Sequence, residues 1–198
     1  MINIAVLVSG GGTNLQALID AQGKALQHGK IKLVISSKPD VYALQRAKQA
    51  GIDHCVIAKR DYVTQEEFSN AILQQLQSHQ IDMIVLAGYL SILDETIIRA
   101  YPNRIINIHP SLIPSFCGKG YYGLKVHEAA LAYGVKVTGA TVHIVNEIPD
   151  GGKILFQKAV DILPFDTPET LQQRVMEEAE WILLPQATEM IAKEIEGK

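Results

Sequence analysis

The sequence predicts an α/β fold: a Rossmann-like, mostly parallel twisted sheet with helices on both faces and a C-terminal antiparallel strand or hairpin. Three observations predict it. Runs at residues 2–8, 31–36, 82–87 and 104–108 are mainly apolar rather than alternating, as strands covered on both faces must be. Segments with helical patterning separate them. After about residue 115 the style changes to two extended segments, 137–146 and 153–162, joined by Pro149-Asp150-Gly151-Gly152.

The first run stops at Ser9-Gly10-Gly11-Gly12, and Thr13-Asn14-Leu15 begins a helix. Residues 31–36 form a second strand. Residues 41–50 form a second helix, with Gly51 at its end, where glycine is favoured. Residues 54–57 are a short third strand. Thr64-Gln65-Glu66-Glu67 is a capping-box signature. The helix it opens carries Phe68, Ile72 and Leu76 every four residues, on one apolar stripe. Residues 82–87 and 104–108 supply the fourth and fifth strands, and 116–122 is a loop rich in glycine and aromatic residues. Thr167-Pro168-Glu169 opens a last helix with Pro in the first turn. Pro185 predicts a kink in that helix. No repeat or linker interrupts the chain, so a single domain over 1–198 is expected, with halves at about 1–100 and 101–198.

The chain has 198 residues, 47% hydrophobic and 20% charged, with a formal net charge of −3 and no long basic run. This argues against broad nucleic-acid binding. Cys55 and Cys117 form neither a CxxC pair nor a zinc pattern, and read as reduced thiols of a cytoplasmic protein. The apolar N-terminus is too short for a membrane span and lacks the basic leader of a signal peptide.

Three segments can carry chemistry. Ser9-Gly10-Gly11-Gly12-Thr13-Asn14 lies between a strand and a helix, where free backbone N–H groups attract anions. It matches neither GxGxxG nor a Walker loop, so it reads as a site for one phosphate on Gly12, Thr13 and Asn14, or as a tight turn that binds nothing. Asn107-Ile108-His109-Pro110-Ser111-Leu112 stands at the C-terminal end of the fifth strand, where ligands of open parallel sheets gather. Alternation puts Asn107 and His109 on one side of that strand, as an amide and an imidazole suited to a developing oxyanion, or as core groups satisfied by backbone. Asp150-Gly151-Gly152 is a turn by composition. Functionally it requires Asp150 beside His109, raising the imidazole pKa and taking part in proton transfer.

Together these segments, with Leu86-Ala87-Gly88-Tyr89-Leu90 and Gly139-Ala140-Thr141-Val142-His143, make the chain resemble the folate-dependent phosphoribosylglycinamide formyltransferases of purine biosynthesis. Similarity runs from residue 1 to about 190. The resemblance implies the formyltransferase fold, with a phosphate-binding N-terminal half and a folate-binding, catalytic C-terminal half. It implies transfer of the formyl group of 10-formyltetrahydrofolate, as co-substrate, to the amine of 5′-phosphoribosylglycinamide, with no metal. Asn107 would bond the formyl oxygen. His109, charged and paired with Asp150, would stabilise the tetrahedral intermediate. Gly12, Thr13 and Asn14 would hold the substrate phosphate, and Glu180 its ribose. Leu90, Ser91, Ile92, Leu93, Asn146, Glu147, Ile148 and Gln65 would join Asn107 and Asp150 in binding folate. The expected partners are small molecules, not nucleic acid or membrane, and the chain would be a monomer or homodimer.

Some positions depart from the family pattern. Ser91 and Gln65 stand where many relatives carry Arg at the folate tail; Lys59 or Arg60 could supply the charge. Cys117 replaces a common Pro and Trp181 a usual His. One extra residue lies between Val175 and Glu180. No histidine pair has metal-ligand spacing. His28, His54, His79 and His127 read as surface residues, while His143 shares a strand face with Thr141 and could reach the site. Other relatives formylate an aminoacyl-tRNA or an amino-sugar nucleotide, or hydrolyse formyl-folate, using additional domains for which this chain has no room. A phosphate-binding module without catalysis is the reading from another class.

Overall fold

The structure is a computed structural model that describes residues 1–197. In chain order its elements are β1 (Ile2–Val8), α1 (Thr13–Ala21), β2 (Gly29–Ser36), α2 (Tyr42–Gln49), β3 (Asp53–Val56), α3 (Gln65–Ser78), β4 (Met83–Leu86), α4 (Glu95–Ala100), β5 (Ile105–His109), α5 (Leu124–Tyr133), β6 (Val137–Ile144), β7 (Ile154–Asp161), α6 (Pro168–Val175), a π-helical turn (Met176–Glu180) and α7 (Trp181–Glu196). The strands form one sheet ordered β3-β2-β1-β4-β5-β6-β7. The first five pair parallel, and β6 and β7 pair antiparallel.

The central strands are apolar on both sides because two cores flank the sheet. Ile4, Val6 and Val8 face a core completed by Leu15, Leu18 and Leu184. The intervening Ala5 and Leu7 face a second core of Phe68, Ile72, Leu76 and Ile97. Period-two geometry thus divides one apolar strand between two layers. The predicted stripe on α3 is fully buried, and its capping box forms, with Thr64 accepting from the Glu67 N–H.

Sequence patterning did not reveal α4 or α5. α4 is only 6 residues long, too short for a helical period to repeat. It is held by Asp94, whose carboxylate accepts from the Ile97 N–H and from the Ser69 hydroxyl. α5 lies beside the glycine-rich loop and packs against α6. The expected kink at Pro185 is also displaced. Pro185 sits within α7, and the departure from α geometry lies upstream, at Met176–Glu180. An i→i+5 turn takes in one residue more than an α turn, and it lies in the stretch where the resemblance implied one extra residue before Glu180.

β1 and β4 are neighbours, with the chain winding outward in both directions from them. That pair is the topological switch point, and its C-terminal edge opens a crevice. Ser9 ties the crevice together: its Oγ accepts from the Leu90 N–H at 2.9 Å and lies 2.6 Å from Ser37 Oγ. Among the described residues, no helix is long and apolar enough to cross a membrane.

Candidate active site

Asn107 and His109 lie on one side of β5, at the end facing the crevice. Antiparallel pairing with β6 sets His143 opposite Asn107. The Asn146–Asp150 segment then folds back so that Asp150 meets all three. Asn107 Nδ2 is 3.3 Å from Asp150 Oδ1 and 3.2 Å from His143 Nε2. His109 Nδ1 and His143 Nε2 are each 3.6 Å from an Asp150 oxygen. The Gly118 N–H donates to Asp150 Oδ2 at 2.8 Å. Asp150 holds a positive φ of 55°, a conformation tolerated by Asp, and turns its carboxylate inward. Gly152 is required next to it, since a Cβ there would lie 1.7 Å from the Ile144 carbonyl oxygen.

The electrostatics of the group are mutual. Burial is the largest influence on His109 and holds its pKa below the ordinary imidazole value, against the opposing pull of Asp150 and of the Phe116 carbonyl. In the free chain His109 is therefore biased toward neutrality, where a charged ring was expected from the sequence. Its Nε2 lies 2.9 Å from the Phe116 carbonyl oxygen, which requires a proton on that nitrogen. Burial would raise the Asp150 carboxyl, but hydrogen bonding from His143, the nearby His109 and the Gly118 N–H hold it below the usual range. His143, only 2% exposed, lies with Nδ1 2.8 Å from the Ile144 carbonyl oxygen. Its Nε2 faces both the Asn107 amide and Asp150 Oδ1, so the ring tautomer decides whether that nitrogen accepts from Asn107 or donates to Asp150. Its place in the cluster follows from the β5–β6 register, which the sequence alone does not reveal.

Two clefts meet at this cluster. Leu90, Ser91, Ile92, Leu93, Asn146, Glu147 and Ile148 all line the first, with Asn107, His143 and Asp150 at its end. Leu90 (49%), Ile92 (69%) and Ile148 (64%) leave much apolar surface exposed at its mouth. The second cleft, of about 590 Å³, is lined by Lys38, His109, Lys119, Tyr121 and Tyr122, and shares Asn107 and Asp150 with the first. Beside them, Lys38, Lys59, Arg60 and Ser91 border a cationic depression. Gln65 lines none of the three. It sits in the first turn of α3, where its amide donates to Ser69 Oγ at 3.3 Å.

The glycine loop follows β1 at the same C-terminal edge of the sheet, and Thr13 lines a separate groove rather than either cleft. Gly12 has φ 73°, and a Cβ there would meet Ala43 Cβ at 2.7 Å, whereas Gly10 and Gly11 face open space. The first turn of α1 has no acidic residue and no side-chain cap, so its amides are unneutralised. Thr13 Oγ1 donates to Met176 Sδ at 3.6 Å. Asn14 Nδ2 donates to Glu180 Oε2 at 2.6 Å, while Asn14 Oδ1 is buried and has no partner among the described residues. Burial raises the Glu180 carboxyl to about 7, against the lowering effect of Asn14. The surface expectation fails at His127, which is fully buried on the inward face of α5, with neither ring nitrogen bonded among the described residues. Burial there lowers its pKa to about 4, with His109 adding to the effect.

A family model described as formyl transferase matches residues 2–188. The chain belongs to that family. It is 44% identical over 178 residues to the phosphoribosylglycinamide formyltransferase of Haemophilus influenzae, which covers 90% of this chain and 82% of that protein. It is 43% identical over 190 residues to the trifunctional purine biosynthetic protein adenosine-3 of Drosophila melanogaster, covering 95% of this chain. It spans only 14% of that relative and 18% of its Gallus gallus counterpart. Among solved structures, glycinamide ribonucleotide transformylase 1 from Symbiobacterium toebii matches with a TM-score of 0.91 at 40% identity, covering 98% of this chain and 89% of that one. The mixed sheet with antiparallel C-terminal strands is thus the fold of formyl transferases.

Proposed function

We propose that this chain transfers the formyl group of 10-formyltetrahydrofolate to the amine of 5′-phosphoribosylglycinamide, giving formylglycinamide ribonucleotide and tetrahydrofolate in purine synthesis. The observation that carries this reading is the meeting of Asn107, His109 and Asp150 where two clefts join. The names of the relatives support the same acceptor and the transfer of a formyl group.

In this reading the first cleft receives the pterin, and its exposed Leu90, Ile92 and Ile148 contribute apolar surface to a flat ring. The second admits the amine. The substrate phosphate sits on the uncapped amides of Gly12, Thr13 and Asn14. Ribose hydroxyls donate to Glu180 and to the unpartnered Asn14 Oδ1. The neutral amine attacks the formyl carbon. The carbonyl oxygen becomes an oxyanion that takes an N–H of Asn107 in place of one of its present partners, and its negative charge, with that of Asp150, favours the protonated form of the neighbouring His109 over the neutral ring that burial favours beforehand. Asp150 accepts the proton lost by the amine and passes it toward the departing folate nitrogen, directly or through water. Cleavage of the C–N bond to folate completes the transfer. Much of the rate gain comes from holding two substrates in line. Lys59, Arg60 and Lys38 stand where the acidic folate tail would emerge past Ser91. Cys55 and Cys117 are free thiols, which fits a reducing compartment such as the cytoplasm.

The deciding experiment follows tetrahydrofolate release from 10-formyltetrahydrofolate with and without 5′-phosphoribosylglycinamide. Release that depends on the acceptor is expected. Release that ignores it, or none at all, would sink the reading.

A further inference from the structure

A groove between α1 and α7 lies outside both clefts. Its volume is about 580 Å³, within the usual range of small-molecule sites. Ala17, Pro185 and the indole of Trp181 give it apolar surface, and Lys24 and Arg46 bring two cations to it. We propose that this groove is a second binding site, for a nucleoside monophosphate, and that its occupancy is felt at the glycine loop.

The chemistry matches each half of such a ligand. An indole with flanking aliphatic groups suits a flat heteroaromatic base. A guanidinium suits a phosphate. Arg46 Nε donates to the Gly11 carbonyl at 2.9 Å and Nη1 to Gln16 Oε1 at 2.8 Å, and the group lies 4.8 Å from the Tyr42 ring centroid. Its Nη2 has no hydrogen-bond partner among the described residues, and its charge meets no carboxylate there. Asp20 also borders the groove, with Oδ1 accepting from the Gln16 amide at 2.9 Å. Two cations against one carboxylate leave a small positive surplus, suited to a monophosphate rather than a triphosphate.

Two links run from the groove to the loop. Arg46 holds the Gly11 carbonyl, so a ligand that pulls on the guanidinium acts on the loop backbone. Trp181 follows Glu180, which is bonded to Asn14. Thr13 itself lines the groove. Ligand in the groove and phosphate on the loop are therefore coupled, and that coupling is reciprocal.

Trp181 is the sole tryptophan of the chain, so its fluorescence reports the groove directly. Titrating the full chain with adenosine 5′-monophosphate should give a saturable change. Adenosine or inorganic phosphate alone should need at least about tenfold more for the same change, since each satisfies only half the site. Ala17→Leu should fill the groove and abolish the response while leaving binding of 5′-phosphoribosylglycinamide intact. If that variant folds poorly, Arg46→Gln should weaken the nucleotide at least about tenfold through loss of the phosphate partner. Saturating adenosine 5′-monophosphate should also shift the midpoint for 5′-phosphoribosylglycinamide in a calorimetric titration. No saturable change, an undiminished response in both variants, or an unshifted midpoint would overturn the proposal. These are binding measurements, so their failure is distinct from failure of the transferase assay.

Discussion

Asn14 and Glu180 come from opposite ends of the chain, yet the Asn14 amide donates to the Glu180 carboxylate at 2.6 Å, and the acid is only 6% exposed. The contact joins the glycine loop to the π turn. It also places an acid in the interior, where burial raises its pKa to about 7.

That shift has a stability consequence. The unfolded acid ionises near 4.5 and the folded one near 7, so folding takes up a proton between those values. Stability from this group is full below pH 4.5 and falls as pH rises through 7. Glu180→Gln should remove the dependence. Relative to the wild type it should gain about 3 kcal/mol between pH 4.5 and 8, as read from denaturant midpoints. The same variant should raise KM for 5′-phosphoribosylglycinamide roughly tenfold through the lost ribose contact.

Asp150→Asn and His109→Ala should each lower kcat by roughly 100- to 10,000-fold while binding of the phosphorylated substrate survives. Isothermal titration beside steady-state rates separates the two effects. Full activity in either purified variant would defeat the site assignment.

Asp150 pulls the His109 pKa upward against burial. In Asp150→Asn that pull is gone, so the His109 ring should titrate at still lower pH than in the wild type. An NMR titration of the histidine ring protons would show it, and an unchanged midpoint would mean the two groups are not coupled in solution.

Gly12→Ala should destabilise the fold by about 1–3 kcal/mol, because φ there is positive and the added Cβ meets Ala43. Gly10→Ala has open space and should cost much less. Thermal melts of the pair test the contrast.

The double change Lys59→Ala with Arg60→Ala should raise KM for a polyglutamylated formyl-folate about fivefold or more, with kcat little altered. Equal KM values in high and low salt would show that the depression does not hold the acidic tail.

Much of this architecture was legible along the chain. Apolar runs broken by glycine located the parallel strands, and Thr64 and Thr167 marked helix starts whose caps form. The Asn107, His109 and Asp150 segments were recognisable from local motifs. Other features were not. His127 sits on a helix too weakly patterned to show its inward face, and Gln65 turned to Ser69 instead of the cleft. His143 gained its place from strand register, and the irregular turn fell at Met176–Glu180, away from Pro185.

By itself, then, the sequence determined the period of each element, the turn chemistry and the identity of the reactive side chains, because these depend on neighbours a few positions apart. Only the tertiary structure decided which distant groups share a site and what charge they bear. Burial and hydrogen bonding set the protonation of His109, Asp150 and Glu180, and both arise from segments that meet only when the sheet is assembled.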